Sequence, residues 1–387
     1  MSDLAYLQKQ LYRTDTELYG LPHPKIVKLV GTFMLLSSAL GDKGFAELSQ
    51  LMRLLDYPKG ELIGRAASSS AEIQKLSRIG GKNGQINMAA LELFLAPLRF
   101  FTHEGRIFEV TSELDNLLAL TDIGEHTPIE FFKLPFTSTY LHFGARAAGL
   151  EITAQGQEPA ALMGAYITEL HLQHPEEVKE AELFLQWTGT SHALTCFEIT
   201  LVGFPHKTIA DHSCLFLRLY VGEKMNEMTV GEVLDLNFEY HKASGTYGTT
   251  AEQQQQLKDG ITHLTKVLLF INSQSVRRET VLEESVLAAR LKSLGTKKQG
   301  KVKRRMERAY DRITISMEAS SEASQDESAR VVRAHWRRGH FRHQRFGAAR
   351  AQSKLLWIRP MRVGTLKTEA SPAKEYTVRG SGHKNPV

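Results

Sequence analysis

The sequence predicts an α+β protein: a helical N-terminal region, a central antiparallel sheet with a long helix, and a small basic C-terminal β module. Three observations carry that prediction. Apolar residues recur at spacings of three and four as far as about residue 120. Short β-rich runs separated by turn residues occupy the middle of the chain. An Arg-, His- and Trp-bearing stretch without a carboxylate lies beyond a Ser/Ala/Glu-rich segment.

In the helical region (residues 1–127), Leu4, Leu7 and Leu11, then Ile26, Leu29, Val30, Phe33 and Met34, mark one face each of two helices punctuated by Pro22 and Pro24. A third runs from about Phe45 to Leu55 and stops before Pro58. The turn Gly80-Gly81-Lys82-Asn83-Gly84 precedes a helix from Met88 to Leu98 and lacks the Gly-Lys-Ser/Thr ending of a phosphate loop. The stretch Ile26–Leu40 is too short and too interrupted to span a bilayer. With Asp3 where a signal peptide would be basic, the expected location is cytoplasmic.

The α+β body (residues 128–295) has five runs of strand character: Tyr140–Phe143, Ala165–Leu172, Leu183–Thr188, Phe197–Val202 and Leu215–Val221. A long helix from about Ala251 to Asn272 follows, with Leu257, Ile261, Leu264, Val267, Leu268 and Ile271 on its buried face. Gln253–Gln256 reads as its polar first turns, and a further helix is expected near Thr280–Leu294. His192, His206 and His212 have no metal-ligand spacing. Cys196 and Cys214 form no CxxC and read as reduced core residues. Neither metal nor cofactor is expected.

Charge is distributed unevenly. Residues 290–387 hold 24 Lys/Arg against 8 Asp/Glu, whereas the rest of the chain holds 24 against 35. An acidic body with a basic C-terminal quarter points to a polyanionic partner, or to a tail folded back on its own body. Within residues 296–330, the run Lys297–Arg308 reads either as a phosphate-binding stripe or as a solvated linker. Ser316–Ser328 reads as a disordered spacer.

Residues 331–364 form the candidate functional module. Nine Arg/Lys and no Asp/Glu lie between Val331 and Arg362, on two strand-like segments flanking a small-residue turn, with Pro360 ending the second segment or placing it at an edge. Arg333, Arg337, Arg338, Arg342, Arg345, Lys354, Arg359 and Arg362 offer cations for phosphates. Trp336, Phe341, Phe346 and Trp357 offer planar faces for unpaired bases. Either tryptophan could equally be the core of a small basic domain. His335, His340 and His343, close to these arginines, are candidates for metal-independent acid–base cleavage of a phosphodiester.

The string His335-Trp-Arg-Arg-Gly-His-Phe-Arg342, followed by Trp357-Ile-Arg-Pro-Met-Arg-Val-Gly364, resembles the C-terminal motif of a family carried by phages and plasmids. Its nearest branch is the second-described type V-A anti-CRISPR family, inhibitors of an RNA-guided type V nuclease. Phe341 stands where Trp is common in that motif, and the polar tail 365–387, read as flexible, is an addition. The resemblance implies recognition of the nuclease's nascent N-terminal polypeptide and loss of the mRNA being translated, with the mRNA or ribosome as further partners and no membrane. A ribonuclease acting through the C-terminal histidines is the alternative reading. A plasmid or phage DNA-binding regulator is a third, without a helix-turn-helix signature to support it.

Overall fold

The computed structural model describes residues 23–24, 96–97, 99–100, 103–143, 149–153, 159–172, 179–189, 194–203, 214–244, 250–273, 276–295, 298–306, 309–317 and 335–363. The N-terminal helices expected before residue 96, the Gly80–Gly84 turn, His192, His206, His212, Arg333 and the tail 365–387 lie outside the described residues.

The fold is α+β, built on one large mixed sheet. Its strands are β1 (Arg106–Val110), β3 (Ser138–His142), β4 (Glu151–Ile152), β5 (Ala160–Leu172), β6 (Leu194–Gly203), β7 (Cys214–Gly222), β8 (Val276–Leu282) and β9 (Asp311–Met317). The order is β7-β6-β5-β3-β1-β9-β8, with β4 added against β5. From β3 to β7 every pairing is antiparallel, as the alternating runs predict. At β1 the pattern changes, because β1 is parallel to both β3 and β9.

Short β2 (Thr121–Asp122) follows helix α1 (Ser112–Ala119). The other helices are α2 (Lys179–Thr188), α3 (Val230–Ser244), α4 (Ala251–Ile271), α5 (Glu283–Ser293) and α6 (Gln299–Met306). Helix α4 starts where Thr250 and Gln253 cap one another, each side chain accepting from the other's backbone N–H at 3.2 and 3.1 Å. Two members of the glutamine run also grip the 149–153 segment. Gln253 Nε2 donates to the Thr153 carbonyl at 2.8 Å, and Gln256 Oε1 accepts from the Thr153 N–H at 2.8 Å. The opposite face of α4, including Ile261, Leu264, Val267 and Leu268, is buried in the main core.

Three expectations need correction. Leu183–Thr188 is helical: Ala181, Phe184 and Leu185 bury one stripe, leaving Leu183 and Trp187 outside, a helical rather than a strand period. Residues 106–110, within the stretch read as helical, form β1. The stretch read as linker and spacer holds α6, which packs Val302 against Leu287 of α5, and β9 in the interior of the sheet. Ser316 belongs to β9, so the expected spacer begins too early; residues 318–330 lie outside the described residues.

Two polar devices sit within the body. Glu198 on β6 accepts from Arg218 Nε at 2.9 Å and Nη2 at 2.6 Å through one oxygen, and pairs with Arg99 Nε at 2.9 Å through the other. All three side chains are buried. Asp115 of α1 meets His263 of α4 at 2.7 Å, also buried. Cys196 and Cys214 are buried and form no disulfide.

Candidate nucleic-acid interface

The C-terminal module is a hairpin fastened to the body. Strands β11 (Gly339–Phe346) and β12 (Gln352–Ile358) pair antiparallel, β10 (His335–Arg337) pairs with β13 (Met361–Val363), and β11 also runs parallel to β2. The segments that the sequence separates by a small-residue turn do form a hairpin, and Pro360 stands between β12 and β13. The turn places Ala349 and Arg350 at φ of 52° and 55°, a conformation that costs non-glycine residues energy.

The junction with β2 demands a residue without a side chain. At Gly339 an added Cβ would lie 2.5 Å from Thr121 Oγ1 and 2.7 Å from Pro360 Cδ, while its own N–H donates to the Leu120 carbonyl at 3.1 Å. Thr121 is a buried hub. Its hydroxyl donates to the Leu117 carbonyl at 2.8 Å and accepts from the Trp357 indole N–H at 3.2 Å.

Strand alternation then sorts the module's side chains between two faces. In register, Phe341 stands opposite Trp357 and His343 opposite Leu355, all on the face turned to the body. Phe341, Leu355 and Trp357 belong to the main hydrophobic core, where Trp357 meets Phe270 edge-to-face at 5.0 Å. His343 lies 5.6 Å from the Phe131 ring, with Nε2 buried. The other face carries His340, Arg342, Gln344 and Phe346 on β11 and Gln352, Lys354, Leu356 and Ile358 on β12. Arg342 and Gln352 are exposed, Phe346 is 36% exposed, and Lys354 Nζ sits 5.1 Å over the Phe346 ring.

The predicted site residues therefore divide. Arg337, Arg338, Arg342, Arg345 and Arg359 are exposed and Lys354 is half-buried. Phe341 and Trp357 are in the core and offer no face to a base; the core reading of the tryptophan is the one that holds. Of Trp336, His335 and Arg362 the structure describes only the backbone. His340 and His343 point to opposite faces of β11, so they cannot act as acid and base on one phosphodiester.

Sequence reasoning passed over Gln344 and Gln352, whose amides can read base edges, and did not separate the outward Phe346 from the inward Phe341. The signal was the odd–even spacing from Phe341, which assigns Phe346 to the outer face. It also passed over Lys266, a half-buried residue of α4. Burial holds the Lys266 ammonium below the usual lysine range; Arg338 pushes the same way, while Asp122 and Asp259 oppose.

The body has its own concavity, a cleft of about 780 Å³ at one end of the sheet. Phe136 and Leu282 stand exposed at its rim, and Arg312 is held within it by ion pairs to Glu109 and Glu283. Among the described residues, no group of His, Cys, Asp and Glu is placed to hold a metal ion, and no helix is long and apolar enough to cross a membrane.

Comparison with curated proteins finds no match. Among solved structures, the crystal structure of AcrVA2 is similar, with a TM-score of 0.46 and 13% sequence identity, covering 88% of this chain and 99% of that one. The family model described as AcrVA2-like, anti-CRISPR type V subtype A2, matches residues 108–365, from β1 through the hairpin and just past β13. That span is well over half of the sequence, and the chain belongs to the anti-CRISPR type V subtype A2 family.

Proposed function

We propose that this anti-CRISPR protein suppresses expression of a type V RNA-guided nuclease by binding the nuclease's nascent N-terminal polypeptide while the hairpin contacts the message or ribosomal RNA, so that the mRNA is lost. The observation that carries this reading is the division of the hairpin into a buried apolar face and an outer face bearing Arg342, Lys354, Gln344 and Phe346. A basic surface fixed to the core in this way moves with the body, so whatever the body holds is brought to the RNA that the hairpin touches. The cleft beside Phe136 and Leu282 offers the body apolar surface for a peptide side chain.

The test uses three nuclease messages in cells: intact, with an early stop codon, and recoded synonymously over the first codons. Message loss is expected for the intact and recoded forms and not for the stop-codon form. Loss that survives the early stop, or that vanishes on synonymous recoding, refutes peptide recognition.

A further inference from the structure

The cleft at the end of the sheet keeps apolar surface in the open. Phe136 and Leu282 are 42% and 52% exposed at its rim, and Phe100, Ile107 and Ile313 continue the apolar lining. Large apolar side chains gathered at one concavity mark a surface that a partner covers. The volume, about 780 Å³, lies in the range of ligand pockets. Charge then decides which partner fits. Arg312 pairs with both Glu109 and Glu283, its Nη1 3.2 Å from the second, so one cation serves two carboxylates. Asp311 accepts from the Ser285 N–H at 3.1 Å and from the Ser285 hydroxyl, which orient its carboxylate without neutralising it. Arg106 stands over the Phe136 ring at 5.9 Å. Among the described residues no ion pair joins Arg106 to a carboxylate, nor Glu104 or Asp311 to a cation. With Glu284 also in the lining, the cleft and its ion pairs hold five carboxylates against two guanidinium groups.

We propose that the cleft takes a peptide segment that sets a lysine or arginine beside an aromatic or aliphatic residue. Phe136 and Leu282 cover the apolar side chain, and Glu104 and Asp311 draw the cation. The proposal rests on the nascent-peptide reading above and gives that peptide its chemistry. The same carboxylates repel phosphates, so charge sorts the two partners: a polyanion to the hairpin and a cationic peptide to the body. Ion pairs at an open cleft are weak, so the apolar contact supplies most of the affinity and the carboxylates supply the choice.

The experiment measures anisotropy of two fluorescein-labelled, glycine-based hexapeptides with the full chain, one carrying adjacent Phe and Lys, the other adjacent Phe and Glu. The Phe–Lys peptide should bind about tenfold tighter, and the gap should close as salt is raised. Leu282→Ala should weaken both peptides alike, by about threefold or more. Glu104→Lys should weaken the Phe–Lys peptide and tighten the Phe–Glu peptide, each by about threefold; the second is a gain that misfolding cannot produce. Glu252→Lys, at an exposed position in the first turn of α4 and outside the cleft lining, is the bulk-charge control and should change neither. An equal response to Glu104→Lys and Glu252→Lys would assign the preference to the body's overall charge and remove the site. Equal binding of the two peptides by the wild-type protein, or no binding of the Phe–Lys peptide up to about 1 mM, would also remove it. Either result beside message loss that still requires translation removes the cleft alone; message loss that survives the early stop codon removes the nascent-peptide reading on which it rests.

Discussion

Trp357→Ala tests the division of the hairpin into a structural and a contacting face. The side chain is 7% exposed, lies edge-to-face on Phe270 at 5.0 Å, and donates to Thr121 at 3.2 Å. Truncation opens a cavity between α4 and β12, worth about 3–5 kcal/mol for a buried tryptophan, and removes the donor to a buried hydroxyl oxygen. For a chain of this size that corresponds to a fall in melting temperature of roughly 4–6 °C. Trp357→Phe should cost less, about 1–2 kcal/mol, because most of the ring contact survives and one hydrogen bond is lost. Phe346→Ala should do the reverse: melting within about 1 °C of wild type, as for most surface changes, and a several-fold loss of single-stranded RNA affinity from a lost stacking face. Thermal denaturation, with hydrogen exchange at the β11, β12 and β2 amides, reads stability, and anisotropy reads binding. If Trp357→Ala melts like wild type yet loses RNA, the tryptophan is a stacking platform and the face assignment is wrong.

Glu198→Gln leaves Arg99 and Arg218 buried around a neutral amide and should destabilise the protein by about 3–5 kcal/mol in urea titration, the range for breaking a buried ion pair. Burial holds His142 and His241 neutral with pKa values of about 4. The unfolded chain takes up those protons from about pH 6.5 downwards, so stability should fall as pH drops from about 6.5 to 4 and be flat above. His241→Gln should shallow that slope in a pH series of urea midpoints; an unchanged slope would show that His241 is not buried neutral. Gly164→Ala would place a Cβ 2.5 Å from the Leu141 carbonyl and from the Tyr140 hydroxyl, at the register shift between β5 and β6. It should cost about 1–3 kcal/mol in the same titration.

How much of this was legible in the sequence depended on whether a segment's neighbours are near in the chain. Strands β5, β6 and β7 and helix α4 each carry a long apolar pattern of their own, and all were readable. β8 reads Val-Arg-Arg-Glu-Thr-Val-Leu and sits at the sheet's edge with most side chains exposed, so it lacks the apolar alternation of a half-buried strand. β9 is a seven-residue run beside a dense basic stretch, and its place between β1 and β8 comes from tertiary pairing alone. α2 was misread because Leu183-Phe184-Leu185 alternates with polar residues only over six positions, too short a window to separate periods of 2 and 3.6. In the hairpin, composition located the basic module, but only the register decides that Phe341 and Trp357 go inward while Phe346 and Gln344 face out.

The bond from Trp357 to Thr121 joins residues 236 apart, and β1 completes its ladder with β9 only after some two hundred intervening residues. A fold tied together by such remote partners is slow to nucleate, because the entropy of closing those loops precedes any gain from the contacts. During the protein's own synthesis β1 must wait, one edge open, until residue 317 has emerged, and α4 must hold Phe270 uncovered until residue 357 follows. Each molecule therefore spends much of its birth as an incomplete sheet, vulnerable to aggregation and to proteolysis.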